Sequence, residues 1–144
     1  NRKGHMPDKR RSKDNLTRRL WWMKIGVSAT GKDLESLMDS RFGRCNYFIL
    51  VDPDTEEFEA MDNPGVSAGG GAGIQAAQAV MKQGAEAVIT GHCGPNAFDV
   101  LAAGGIKIYQ ASEKSIEEVL DLYKKGELKE VTTPGKANRG KGSR

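Results

Sequence analysis

Apolar and polar positions along the chain change period several times, and each change marks an element. Met23-Lys24-Ile25-Gly26-Val27-Ser28 is a short β-branched run that predicts a first strand. Tyr47–Val51 is an aromatic and aliphatic run, and Glu57–Met61 alternates as a half-exposed strand does. Asp52-Pro53-Asp54-Thr55 between them supplies a turn, so the two strands are expected to form a hairpin. From Gly69 onward the period becomes helical. Ile74, Ala77, Val80 and Met81 recur at helix spacing, which predicts a helix from the glycine-rich loop Gly69–Gly73 to about Gln83, closed by Gly84. Strand Ala87–Thr90, helix Asn96–Ala103, strand Ile106–Tyr109 and a helix from Ile116 to Lys125 follow. Ile116, Val119, Leu120 and Tyr123 form one face of that last helix; Ser112 or Ser115 offers a cap, and Gly126 stops it. Asp33–Asp39 reads as a loop or a single helical turn. Antiparallel strands followed by βαβ units predict an α/β fold, with a mixed sheet covered by helices on both faces.

Length and charge refine this picture. At 144 residues the chain is long enough for one domain with its own core. The net charge of +3 is unevenly spread: residues 1–22 carry +6, residues 135–144 carry +4, and the section between carries −7. Basic charge confined to the ends, with an acidic body, argues against nucleic acid as a partner. The expected organisation is a basic extension over 1–22, an α/β domain over 23–130 and a basic, glycine-rich tail over 131–144 with too little apolar surface to fold. Gly4-His5-Met6 resembles an expression-vector scar, so His5 is not read as a ligand. The absence of a long apolar run argues against a membrane span or secretory signal. Cys45 and Cys93 are no disulfide framework, and a cytoplasmic protein is the expectation.

Four stretches carry candidate chemistry. Gly26–Asp33 comes within one residue of a phosphate-binding loop, but Asp33 stands where that loop needs a hydroxyl. A phosphate- or nucleotide-binding domain, with hydrolase chemistry, is therefore the alternative reading. Gly71, Gly73 and Ala76 fit a dinucleotide fingerprint in spacing but follow a chain break rather than a strand; backbone contact to an anion and close helix packing both remain open. Arg41 and Arg44 flank a Phe42-Gly43 turn, where guanidinium groups chelate oxyanions or pair with carboxylates.

The fourth stretch, Gly91-His92-Cys93-Gly94-Pro95-Asn96, follows an apolar strand and opens a helix, with Pro95 suited to the first turn. His92 and Cys93 would sit at the carboxyl end of a strand, where open α/β sheets collect ligands. Imidazole and thiolate are ligands for copper, iron or zinc, but neighbours in sequence need a further ligand, for which Cys45 is the candidate. The same residues also read as a buried turn with Cys93 packed as a small hydrophobe. A catalytic Cys–His pair is disfavoured by the lack of an orienting acid nearby.

Met23–Ser28, Arg41–Phe48, the Gly69–Gly73 loop, Thr90–Phe98 and Ala103–Tyr109, in this order, resemble the dinitrogenase iron-molybdenum cofactor biosynthesis family over roughly Met23 to Leu128. The resemblance implies a three-layer α/β/α, ribonuclease-H-like fold with a five-stranded mixed sheet. It further implies a monomeric, non-catalytic binding or carrier protein for a metal–sulfur cluster of the iron–molybdenum type, or of the molybdenum–copper type found in the family's orange-protein branch. A cofactor-assembly or acceptor protein would be its partner. On that reading Arg41, Gly43, Arg44, Gly69, Gly70, Gly71, Gly73, Gly91, Gly94 and Asn96 contact the cofactor, and His92, Cys93 and Cys45 are the metal ligands.

Overall fold

The computed structural model describes residues 24–67 and 70–133. Met23 and the basic extension before it, Ala68 and Gly69, and the tail from Pro134 onward lie outside the described residues. Six strands form one mixed sheet in the order β3-β2-β1-β4-β5-β6. The strands are β1 (Lys24–Ala29), β2 (Tyr47–Val51), β3 (Phe58–Asp62), β4 (Ala85–Thr90), β5 (Lys107–Gln110) and β6 (Lys129–Glu130). Among the described residues, three helices, α1 (Ala72–Lys82), α2 (Pro95–Ala103) and α3 (Ile116–Lys124), accompany the sheet, together with a short 3-10 turn at Pro64–Ser67.

The five-stranded sheet is therefore corrected to six. The sixth strand is two exposed residues, Lys129 and Glu130, paired antiparallel with Gln110 and Tyr109. A pair of charged residues carries no apolar alternation, so the sequence pattern has no signal there. Val131 continues this edge, donating its N–H to the Ile108 carbonyl at 2.7 Å and packing against the core, so packed chain extends past the expected boundary at 130.

The hairpin expectation holds: β2 pairs antiparallel with β1 on one side and β3 on the other, while β1, β4 and β5 are mutually parallel. Its turn is longer than expected. Asp52 accepts the N–H of Asp54 at 2.8 Å through its side chain, Glu56 adopts φ 64, and the outer strand starts only at Phe58.

Alternation along the strands divides the core into two layers. Phe48, Leu50, Val88 and Ile108 face α1 and α2, meeting Ala76, Ala77, Val80 and Leu101. Ile25, Val27, Ile49, Val51 and Ile89 face α3, meeting Ile116, Val119 and Leu120. Each of those α3 side chains is fully buried, which contributes about 1.5–3 kcal/mol apiece. Helices thus cover both faces, as the order of elements predicts. Gly26 lies on the α1 side of β1, where a Cβ would already stand 3.6 Å from Val80. α3 starts with a capping box: Ser115 Oγ accepts from the Glu118 N–H at 3.2 Å, and the Glu118 carboxylate accepts from the Ser115 N–H at 3.2 Å.

Candidate functional site at the carboxyl ends of β1 and β4

β1 and β4 are parallel neighbours whose chains leave in opposite directions, β1 toward β2 and β4 through α2 toward β5. Such a point leaves a crevice above the strand ends. Residues 30–46, the long connection from β1 to β2, cross that crevice. They begin against α3, where Met38 donates to the Lys114 carbonyl at 2.8 Å and Ile116 donates to that of Ser36 at 2.9 Å. They then pass over β1, with the Asp39 N–H on the Ser28 carbonyl at 2.9 Å, and reach β4. There Arg41 and His92 form a parallel bridge: the His92 N–H donates to the Ser40 carbonyl at 2.7 Å, and the Phe42 N–H donates to the His92 carbonyl at 3.2 Å. Gly91 is required for this contact, because a Cβ on it would lie 2.8 Å from Ser40 Cα.

A buried polar set holds the crossing in place. Ser28 Oγ bonds the Asp39 carbonyl at 2.6 Å and Thr90 Oγ1 at 2.8 Å. Asn63, 1% exposed, donates to the carbonyls of Cys45 at 2.8 Å and Gly43 at 3.1 Å and accepts the Gly65 N–H at 2.8 Å. It thereby ties the Arg41–Cys45 loop to the turn preceding α1. The backbones come so close that a Cβ on Gly43 would stand 3.0 Å from Gly73, and one on Gly65 would collide with the Ala72 carbonyl at 2.5 Å.

The result is a cleft of about 450 Å³ lined by Ser40–Arg44, by Ala72 and Gly73 at the start of α1, and by His92 with Gly94–Ala97 at the start of α2. α1 starts after Gly71 (φ 73) and α2 after Gly94; neither start has a side-chain cap or an acidic residue in its first turn. Two helix N-termini with uncapped N–H groups therefore open on one cleft, and the partial positive charge of both adds there. α3, on the other face of the sheet, has its capping box and two acidic residues in its first turn.

Arg41 stands at the rim with its side chain 63% exposed. Asp39 grips it through Nε to Oδ1 at 3.1 Å, Nη2 to Oδ2 at 3.0 Å, and the Arg41 N–H to Oδ1 at 2.9 Å. Burial alone would raise the Asp39 carboxyl, but the hydrogen bonds and charge of Arg41 outweigh it and hold the pKa below its ordinary value. Carboxylate pairing, one of the two roles open to Arg41, is thus realised, and it leaves the remaining guanidinium N–H groups for a ligand.

His92 lines the cleft, and its Nε2 is buried with no hydrogen-bond partner. Cys93 and Cys45 do not line it. They are 5% and 0% exposed, both belong to the core under α1 and α2, and burial pushes each thiol up to about 12. No group of three His, Cys, Asp or Glu side chains suited to a metal ion exists among the described residues. The structure thus gathers Arg41, Gly43, Arg44, Gly73, His92, Gly94 and Asn96 on one cleft, and sets the two thiols behind it. Gly71 precedes α1 directly, Gly91 supports the bridge, Gly70 is exposed, and Gly69 lies outside the described residues.

Asp39, Asn63, Ser28 and Thr90 were not singled out by sequence. Asn63 was legible only as a chain break before Pro64, and its clasp depends on Cys45, eighteen positions away. Gly26–Asp33, the near-match to a phosphate loop, leads from β1 into a turn and two β-bridges rather than a helix, so it has no helix N-terminus to offer a phosphate.

Residues 23–126 match the family described as Dinitrogenase iron-molybdenum cofactor. The chain belongs to this family. The apo form of the orange protein from Desulfovibrio gigas shares 38% identity and a TM-score of 0.76, over 80% of this chain and 98% of that one. A putative NifB protein from Thermotoga shares 32% identity and a TM-score of 0.69, over 79% and 97% of the two chains. An uncharacterized protein of Methanocaldococcus jannaschii is 31% identical over 94 residues, 63% of this chain and 80% of the relative. The family match ends at residue 126, before β6.

Proposed function

We propose that this family member is a small, non-catalytic carrier that holds an anionic metal–sulfur cofactor or precursor in the cleft between α1, α2 and the Arg41–Arg44 loop. The observation that carries the reading is the convergence on one cleft of two uncapped helix N-termini, the Arg41 guanidinium and the unpartnered buried nitrogen of His92. The helix N-termini and the guanidinium favour an anion, and the His92 nitrogen offers a lone pair to a metal within it. Sulfide and oxo edges of an iron–molybdenum or molybdenum–copper sulfide cargo accept such hydrogen bonds, and His92 is the side chain suited to touch a metal directly. Cys45 and Cys93 are buried in the core beneath α1 and α2 and do not line the cleft, so they support it from behind in preference to ligating the cargo. The ribonuclease-H-like description of the fold is supported by β2 lying antiparallel between β3 and β1 beside the parallel β4 and β5. A cytoplasmic monomer that hands its cargo to an assembly or acceptor protein completes the reading; among the described residues no helix is long and apolar enough to cross a membrane.

Anaerobic titration with tetrathiomolybdate, with and without copper(I), tests it through visible absorption of the protein-bound fraction after gel filtration. The wild-type chain should retain the chromophore, and Arg41→Gln and His92→Ala should each weaken retention about tenfold or more, the usual effect of losing one charge-assisted contact. Cys93→Ser should retain it. Absence of retained chromophore in the wild type would refute the carrier reading, and loss only in Cys93→Ser would reassign the cargo to thiolate coordination.

A further inference from the structure

The Gly91–Gly94 turn has a second side. A cavity of about 330 Å³ lies there, lined by Gly91, His92 and Cys93 and by the chain that follows α3, Lys129–Thr133. Of its lining residues only His92 also lines the anion cleft, so the turn is a wall between the two. Cys93, absent from the anion cleft, borders this cavity and is 5% exposed beneath the covering chain.

That covering chain is lightly attached. Gly126 (φ 73) follows α3, and Leu128 packs into the layer beneath that helix. Beyond it, Lys129 and Glu130 pair with Gln110 and Tyr109, and the Val131 N–H reaches the Ile108 carbonyl at 2.7 Å. Lys129, Glu130, Thr132 and Thr133 are exposed; Val131 alone of the five is half-buried, in the layer that holds Ile108 and Cys93. A two-residue strand at a sheet edge, with few buried contacts, opens at a smaller free-energy cost than the whole fold. The turn itself does not depend on that edge, because β4 lies between β1 and β5. The family match ends at residue 126, before the segment begins.

We propose that Lys129–Thr133 is a strap that peels from β5 while the rest of the sheet stays folded, and so controls when the Cys93 thiol beside His92 meets soft metal ions and other thiol-directed reagents. Closed, the strap leaves the imidazole as the soft ligand offered by the turn. Open, it presents the neighbouring thiol as well. Cys45 gains nothing from this opening: it is fully buried, receives the Asn63 side-chain N–H at 3.6 Å, and does not line the cavity. The device is independent of what the anion cleft holds.

Labelling of the full-length chain with iodoacetamide at pH 8, read for each cysteine by peptide mass spectrometry, separates strap opening from global unfolding. Over hours without denaturant, Cys93 should be labelled faster than Cys45. Its rate should also depend less on urea below the unfolding transition, because opening the strap exposes less surface. Val131→Ala should raise the Cys93 rate about three- to tenfold, as expected for methyl groups removed from a half-buried site. Ile49, fully buried on β2, is separated from the strap by β1, β4 and β5. Ile49→Val should therefore speed the labelling of Cys45 about two- to tenfold through global destabilisation and leave that of Cys93 unchanged. Equal rates for the two cysteines with the same urea dependence would overturn the proposal. So would Ile49→Val speeding both thiols alike, or a Cys93 rate unaffected by Val131→Ala.

Discussion

His92 and Cys93 are neighbours in sequence, but of the two only His92 lines the anion cleft. The thiol lies in the core with Leu101 and Ala97. A consequence follows for pH. Each cysteine has a folded pKa near 12 against an ordinary value of 9.0, so folding retains a proton that the unfolded chain releases. The stability tied to that proton is fully present below pH 9 and is lost as pH rises toward 12, by at most about 1.4 kcal/mol per pH unit for each thiol. Urea unfolding between pH 8 and 11 should show this decline, and Cys93→Ala should flatten it. Both thiols should resist iodoacetamide in the native chain at neutral pH and react once it is unfolded; rapid alkylation of the native chain would contradict the burial described. At this scale the residue types at the site were readable from sequence. Which side of the sheet end each would face was not, because a single turn sends adjacent side chains in different directions.

At the scale of elements, the helices and the five longer strands were legible within about one or two residues, since each carries an apolar period and a glycine or proline boundary. β6 was not legible, and neither was the course of residues 30–46, whose contacts with α3, β1 and β4 are made mostly by backbone groups common to every residue type. Glycines mark where this crossing is tight. Gly91→Ala would press a methyl group to 2.7 Å from Ser40 Cβ and should destabilise the fold by about 1–3 kcal/mol, the usual range for overpacking. Gly70→Ala, with nothing within 4 Å, should leave the unfolding midpoint within about 0.5 kcal/mol of wild type. Equal losses in the two variants would mean that the Ser40–Gly91 contact does not limit the structure. The Gly91 variant should also displace Arg41 from His92 and weaken cargo retention, whereas the Gly70 variant should not.

Across the whole molecule, the body between the basic ends carries a net −7, yet its carboxyl-end cleft gathers cationic groups and helix N-termini. On the proposed reading, an anionic cargo would be held by local contacts against an unfavourable long-range field. Salt acts on the two parts differently. The exposed Arg41 side chain lies open to screening, while the uncapped N–H groups of α1 and α2 would act on the proposed cargo at contact distance. Raising ionic strength from 0.05 to 0.5 M should weaken thiomolybdate retention about three- to tenfold in the wild type and less in Arg41→Gln. A salt response identical in both would remove the guanidinium from the cleft's electrostatics.

The sequence by itself determined the class of fold, the order of strands and helices, the acidic body with basic ends, and the family. These properties follow from periodicity, from composition and from motifs that survive in one dimension. The tertiary structure alone decided that Arg41 lies beside His92, that Asp39 and Asn63 hold the loop bearing it, that both thiols retreat into the core, and that two uncapped helices open on the same cleft. The physical reason is separation along the chain: Arg41 and His92 are joined by backbone hydrogen bonds across the top of a sheet, and no local pattern records that pairing.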